Sequence, residues 1–215
     1  MKYELMIFDL DGTILNTLDD MADSCNEILK RNGFPVHSEE EIKYMVGNGI
    51  PKLIERALPQ NVSQKEYTKV LNEYIDYYQE HSALKTATYP GMKETLELLK
   101  QKGVILAVNT NKLHEAAVEL CDRYFPAIFD IVAGGKAGQK PKPAPDGVNF
   151  ILEHTGIPKE KVLYIGDSDV DIQTAQNSGI DSLGAAWGFR GEDFLLQKGA
   201  KKVIKSCAEL LSGIN

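Results

Sequence analysis

The sequence predicts a doubly wound parallel α/β sheet carrying an inserted all-helical lobe, and three observations predict it. From residue 86 onward, short apolar runs rich in β-branched residues alternate with helical periodicity, the pattern of strand–helix–strand units. Residues 17–85 instead hold only helix and turn signals, too many for a single crossover. Finally, the polar clusters Asp9/Asp11, Thr110/Asn111, Lys140/Lys142 and Asp167/Asp171 each follow a predicted strand. The carboxyl edge of a parallel sheet is where such folds bind ligands, so four distant segments are expected to converge on one crevice. The expected boundaries are 1–16 with 86–215 for the α/β core and 17–85 for the helical insertion.

The chain opens on Leu5-Met-Ile-Phe8, a buried strand that runs into Asp9-Leu-Asp11-Gly12-Thr13. Leu18, Met21, Ala22, Cys25, Ile28 and Leu29 then recur at helical spacing, and Asn32-Gly33 supplies the stop. Ser38-Glu-Glu-Glu41 has the form of a capping box and opens a short helix that breaks at Gly47-Asn48-Gly49. Pro51 suits the first position of a helix with Leu53, Ile54, Ala57 and Leu58. A second capping box, Ser63-Gln-Lys-Glu66, precedes Tyr67, Val70, Leu71, Tyr74, Ile75 and Tyr78 on one helix.

After Tyr89-Pro90-Gly91 a helix with Met92, Leu96 and Leu99 stops at Gly103 and feeds the strand Val104–Val108. Asn109-Thr110-Asn111-Lys112 ends that strand, ahead of a helix with Ala116, Ala117 and Leu120. A short strand, Asp130–Ala133, opens into a loop rich in Gly, Pro and Lys that reaches Pro145, a helix starter. Val162–Ile165 is the next strand, ending in Gly166-Asp167-Ser-Asp169-Val-Asp171 before a helix through Ile172 and Ala175. Weaker strands follow near 182–186 and 203–204, with a last helix near 208–211. Trp187-Gly188-Phe189-Arg190-Gly191 is placed either to shape a pocket rim or to pack into the core.

Composition narrows the function. A chain of 215 residues with net charge −7 and 43% hydrophobic residues has enough apolar content for a core, which argues against disorder. Its 31 acidic against 24 basic residues give no reason to expect nucleic acid or an anionic membrane as partner. Oligomeric state is not predicted. Cys25, Cys121 and Cys207 are far apart and odd in number, as expected for buried thiols in a reducing cytosol. The chain enters a strand almost at once and holds no bilayer-length apolar run, so a cytoplasmic protein without signal peptide is expected. His37, His81, His114 and His154 show no ligand spacing.

A buried strand ending in Asp-x-Asp is a poor stability device, because two carboxylates repel and resist desolvation unless something cationic neutralises them. The alternative is a plain strand end and turn, since Asp and Gly are common turn residues. Gly12 permits a sharp turn, and Thr13 offers a hydroxyl and a backbone N–H to an anion. Thr110 and the N–H of Asn111 sit at a strand-to-helix junction suited to phosphoryl oxygens. A lysine is needed to offset the gathered negative charge, and Lys140-Pro-Lys142-Pro offers two.

Asp9-Leu-Asp11-Gly12-Thr13, Thr110-Asn111-Lys112, a lysine before Pro-x-Pro, and Gly166-Asp167-Ser-x-x-Asp171 together resemble the four motifs of the haloacid dehalogenase superfamily, most of whose members are magnesium-dependent phosphatases. The resemblance implies a Rossmann-like core with a mobile helical cap. It implies Asp9 as nucleophile forming an aspartyl-phosphate, and Asp11 as the acid that protonates the leaving alcohol and then activates water. Mg2+ would be held by Asp9, Asp167 and the main-chain carbonyl of Asp11, with Asp171 behind them or bridged through water. The family pattern Lys-Pro-x-Pro-Asp fits Lys142 better than Lys140. Asp169 is expected only to start the helix. Val46-Gly47-Asn48-Gly49, with Arg56-Ala57-Leu58, looks like the cap of phosphoglycolate phosphatases. There the turn would meet a small anion or merely join two helices, with Arg56 and Lys52 as carboxylate partners or solvated charges. The expected reaction is hydrolysis of a small phosphomonoester, 2-phosphoglycolate first, with an inorganic pyrophosphatase or a β-phosphoglucomutase-like enzyme as alternatives. A non-catalytic binding module would lack a motif residue, and none is lacking. Mutases usually carry Glu-Asp where this chain has Gly166-Asp167, and a dehalogenase would not need Asp11.

Overall fold

The computed structural model describes residues 2–136 and 138–212. Residues 1, 137 and 213–215, which fall inside the expected core boundaries, lie outside the described residues. Two compact units emerge: residues up to Leu15 together with Thr88 onward, and Asn16–Ala87 between them.

The first unit is built on β1 (Leu5–Phe8), all four residues of which are buried. Such a strand reads as a continuous apolar run because helices cover both faces of a parallel sheet. After the two-residue strands β2 (Leu15–Asn16) and β3 (Ala87–Thr88), which pair with each other, come α5 (Met92–Gln101), β4 (Ile105–Leu113), α6 (His114–Tyr124) and β5 (Ile131–Gly135). Then follow α7 (Asp146–Thr155), β6 (Val162–Gly166), α8 (Asp169–Ser178), β7 (Asp181–Ala185), α9 (Gly191–Gln197), β8 (Val203–Ile204) and α10 (Glu209–Ser212). The sheet order is β5-β4-β1-β6-β7-β8, with every pairing parallel. The chain moves outward from β1 through β4 to β5 and returns to β6 on the other side. That reversal opens a crevice at the carboxyl end of β1.

One strand departs from expectation where it matters. β4 does not end at Val108 but runs to Leu113, and its register against β5 shifts between Asn109 and Leu113. Between those two positions three residues of β4 stand opposite the single Gly134 of β5. Surplus residues in one strand must bow out of the ladder, and such bulges re-aim side chains. Thr110, Asn111 and Lys112 are those residues. The helix α9, which begins at Gly191, was not predicted from the sequence; nor were β2 and β3, each too short to show a period.

The second unit holds α1 (Leu18–Arg31), α2 (Glu39–Met45), α3 (Ile50–Ala57) and α4 (Gln64–His81). Both capping boxes form: Ser38 with Glu41 and Ser63 with Glu66 satisfy the otherwise orphaned first-turn donors. Pro51 occupies the second position of α3 rather than the first, behind Ile50. Among the described residues no helix is long and apolar enough to cross a membrane.

Within this unit Asp20 is 2% exposed, an unusual depth for a carboxylate on an amphipathic helix. It accepts the N–H of Lys85 (2.9 and 3.1 Å), the N–H of Thr86 (2.8 Å) and the hydroxyl of Thr86 (2.7 Å), fastening the end of the unit to its first helix. Hydrogen bonds to a charged group contribute more than neutral ones, and removing the acceptor strands two backbone donors. Asp20→Ala should therefore lower the stability of the helical unit by about 2–4 kcal/mol, read by chemical denaturation. Asp23→Ala, which removes only the exposed pair with Lys85, should leave the denaturation midpoint unchanged.

Candidate active site

The carboxyl edge of the first unit's sheet gathers Asp9, Asp11, Thr13, Thr110, Asn111, Lys112, Lys142, Asp167 and Asp171. Asp9 follows β1 directly, and its N–H still pairs with the Ile165 carbonyl of β6 at 2.9 Å. Its backbone is therefore fixed by the sheet. One carboxylate oxygen, Oδ1, accepts the N–H of Leu10 at 2.7 Å and the ammonium of Lys142 at 2.8 Å. Oδ2 has no hydrogen-bond partner among the described residues.

Lys142 sits at the centre. Its side chain is 4% exposed, and Nζ lies 2.8 Å from Asp9, 2.7 Å from Asp171 and 3.3 Å from the Tyr164 hydroxyl. The Asn111 side chain clamps its backbone from both sides, accepting the Lys142 N–H at 2.7 Å and donating to its carbonyl at 3.3 Å. The Lys142–Pro143 bond is cis. Burial works against the ammonium, but Asp171 and Asp9 outweigh it and hold the lysine pKa well above its usual value. Lys140, the alternative in the sequence, is exposed.

Asp171 reaches the site from the first turn of α8. Asp167 is not helical; Ser168 caps α8, and Asp171 is the third residue of that helix. Its Oδ2 accepts the Ser168 N–H (3.0 Å) and hydroxyl (2.6 Å), a capping box turned inward, while Oδ1 takes Lys142. Asp169 starts the helix from a half-buried position.

Asp167, 2% exposed, accepts the Thr13 hydroxyl at 3.1 Å and the Phe189 N–H at 2.8 Å, and pairs with no cation among the described residues. The backbone crowds it: a Cβ on Gly12 (φ +84°) would stand 2.4 Å from its Oδ2, and one on Gly188 would stand 2.3 Å from its Cβ. Thr13 thus differs from expectation. Its hydroxyl serves Asp167 and its N–H bonds to the Leu10 carbonyl at 3.3 Å, so neither addresses an anion. Gly12 likewise serves the turn and the approach to Asp167. Trp187 belongs to the same wall, with Nε1–H donating to the Thr13 carbonyl at 2.9 Å.

Asp11 pairs with a partner that sequence reasoning had left without a role. Lys112 Nζ lies 2.9 and 3.2 Å from its two carboxylate oxygens. The Thr110 hydroxyl oxygen accepts the Lys112 N–H at 3.2 Å, closing the bulge. Gly47, Asn48, Gly49 and Arg56 belong to the helical unit. There Arg56 donates to the Met45 carbonyl (2.6 Å) and to Asn48 Oδ1 (2.8 Å), so it braces the turn that the sequence reading had it share with a substrate. Gly47 (φ +114°) and Gly49 (φ +82°) hold conformations that favour glycine. Lys52 pairs with Glu55 at 2.6 Å.

One ligand atom from each of Asp9, Asp167 and Asp171 lies within 4.8 Å of the others. Burial first, then the charge of Asp171, pushes Asp9 up to about 7, with Lys142 opposing. The same two causes, together with Asp9, raise Asp167 well above the carboxylate range. Three buried carboxylates gather here, and the Lys142 ammonium pairs with two of them, Asp9 and Asp171. The set fits a divalent cation with hard-oxygen preference, and Asp167, lacking any cationic neighbour, is where it fits best.

A family model described as haloacid dehalogenase-like hydrolase matches residues 6–185. The phosphoglycolate phosphatase of Vibrio parahaemolyticus is 33% identical over 215 residues, covering 97% of this chain and 94% of that protein. That of Haemophilus influenzae is 32% identical over 219 residues, covering 98% of each. A crystal structure from Lactobacillus delbrueckii subsp. bulgaricus, provisionally assigned as a phosphoglycolate phosphatase, superposes with a TM-score of 0.95 at 36% identity, over 100% of this chain and 99% of that one.

The raised carboxylates make a pH prediction. Asp9 keeps its proton in the fold up to about 7, whereas the unfolded chain releases it near 3.8. Between those values the folded state binds more protons, so stability falls as pH rises through the window and levels off above it. Without divalent cation, the thermal midpoint of the wild type relative to Asp9→Asn should drop by several degrees from pH 4.5 to 7.5. Excess Mg2+ should abolish most of that relative drop.

Proposed function

This chain belongs to the haloacid dehalogenase-like hydrolase family and is a phosphatase, and on that premise we propose that it hydrolyses a small phosphomonoester, 2-phosphoglycolate, through a phosphorylated Asp9. The observation that carries the reading is Lys142. Its buried ammonium anchors one oxygen of Asp9, while the other has no hydrogen-bond partner among the described residues, as a carboxylate nucleophile requires.

The reaction runs in two displacements. Asp9 forms a bond to phosphorus while the ester bond breaks, and the departing oxygen takes a proton from Asp11 to leave as an alcohol. Asp11 then withdraws a proton from water, which attacks the aspartyl-phosphate; the Asp9–phosphorus bond breaks and orthophosphate departs. Both carboxylates return to their starting states. The Thr110 hydroxyl, whose oxygen already accepts from Lys112, points its own hydrogen at a phosphoryl oxygen, aided by the Asn111 N–H. Asp9, Asp167 and the Asp11 carbonyl, with Asp171 behind them, would hold a Mg2+ ion, which would offset the charge of the phosphoryl group.

Residues 17–85 serve as the cap in this reading and carry substrate choice through Gly47, Asn48 and Gly49. The substrate assignment draws on phosphoglycolate phosphatases that align with nearly the whole chain. A mutase is disfavoured at Gly166, where any Cβ would stand 2.2 Å from that of Asp171. A cytoplasmic setting suits three buried free thiols.

A panel of 2-phosphoglycolate, sugar phosphates, pyrophosphate and an aryl phosphate, assayed with and without Mg2+, tests the proposal. The highest kcat/KM should fall on 2-phosphoglycolate and vanish with chelator; preference for pyrophosphate would replace the substrate assignment. Asp9→Asn should abolish turnover and leave the protein folded, and a retained tenth of the activity would exclude the covalent route. Lys142→Ala should cost on the order of 10²-fold or more in kcat, while exposed Lys140→Ala stays close to wild type.

A further inference from the structure

Asp11 is a site carboxylate that forms an ion pair with a lysine other than Lys142. Lys112 holds it instead, with side-chain exposures of 2% for the lysine and 18% for the aspartate. An ammonium so deeply buried is not one of the solvated pairs that decorate protein surfaces; it is retained only where a partner offsets its desolvation. Its backbone is pinned as well, because Lys112 N–H bonds to Thr110 Oγ1 inside the β4 bulge. The segment that presents Thr110 to the phosphoryl group therefore also fixes the origin of the lysine arm.

We propose that Lys112 is a positioning residue for Asp11, an inference that rests on the acid–base reading of that carboxylate. In the first displacement Asp11 must deliver a proton to the departing ester oxygen. In the second it must take one from water arriving along the same line, so a single orientation serves both steps. A side chain free to turn about its two bonds would leave that orientation, and small misplacements of reacting groups are costly. Lys112 grips both Asp11 oxygens, at 2.9 and 3.2 Å, and so sets the carboxylate plane. When one oxygen carries the transferred proton, the other keeps the lysine contact.

Leaving-group dependence separates this role from a structural one. The comparison uses an activated aryl phosphate, a simple alkyl phosphate without carboxylate, and 2-phosphoglycolate. Lys112→Met should lower kcat by about 30-fold or more on both alkyl esters, with KM nearly unchanged, and by only about 3-fold on the aryl ester, whose leaving group needs no proton. Lys112→Arg should recover most of the loss. Added to Asp11→Asn, Lys112→Met should cost little more, and because that double variant leaves no unpaired charge it is readable even if the single one folds poorly. Equal losses on all three esters would overturn the proposal in favour of scaffolding. A loss confined to 2-phosphoglycolate would overturn it in favour of a carboxylate receptor, and so would multiplicative effects in the double variant. If Asp11→Asn itself showed no leaving-group dependence, the acid–base reading would fail first, a result distinct from dependence at Asp11 without dependence at Lys112.

Discussion

The buried ammonium of Lys142 is the interaction on which the rest of the site depends. It joins Asp9, at the end of β1, to Asp171, in the first turn of α8, and Asp171 in turn caps that helix through Ser168. Three segments far apart in sequence are thereby held by one charge. Removing a single member of a buried ionic set leaves its partners charged and unpaired, which costs far more than the set contributes when intact. The lysine is correspondingly over-determined, with its backbone clamped by Asn111 and its head bounded by Tyr164. Tyr164 is itself oriented, donating to the Asn109 carbonyl at 3.1 Å.

The second constraint is steric. Asp167 is packed so tightly that a Cβ on Gly12 or on Gly188 would overlap it, and Gly166 has no room for one beside Asp171. These glycines let backbone close over carboxylates where side chains could not. One consequence is electrostatic: burial and the charges of Asp171 and Asp9 hold the Asp167 carboxyl well above its usual range, against the hydrogen bonds from Phe189 and Thr13. The site is thus a place where the fold accepts unfavourable charge, while the helical unit is secured by ordinary means, two capping boxes and the Asp20 clamp.

Much of this was legible in the sequence, because the signals were local. The apolar run Leu5–Phe8, the two Ser-x-x-Glu boxes and the turn glycines each state their element within a few residues. The placement of four polar clusters beyond strand ends also gave the crevice. What stayed hidden depended on partners remote in the chain. Thr13 reads as an anion donor until the fold puts Asp167 against it, and the Phe189 N–H carries no side-chain signal at all. Lys112 looked like part of a motif without a task, since its target lies 101 residues earlier. Repetition in Lys140-Pro-Lys142 left two candidates, of which the pattern favoured Lys142, the one that is buried. The extension of β4 was obscured because a bulge breaks the strand's alternation at the polar triplet.

The commitments of these residues also bear on where selectivity resides. Lys142 is engaged by Asp9 and Asp171, Asp167 by Thr13 and Phe189, and Asp11 by Lys112. The groups that remain, the outer oxygen of Asp9 and the Thr110 hydroxyl hydrogen, are directed in the proposed mechanism at phosphorus and its oxygens. Those atoms are common to every phosphomonoester, so uniform interactions with them raise the rate without telling one alcohol from another. Discrimination has to come from contacts with the leaving group, and the polar residues of the sheet edge have little capacity left to make them. In the proposed mechanism the α/β unit sets the reaction, and the choice of alcohol is assigned to residues 17–85.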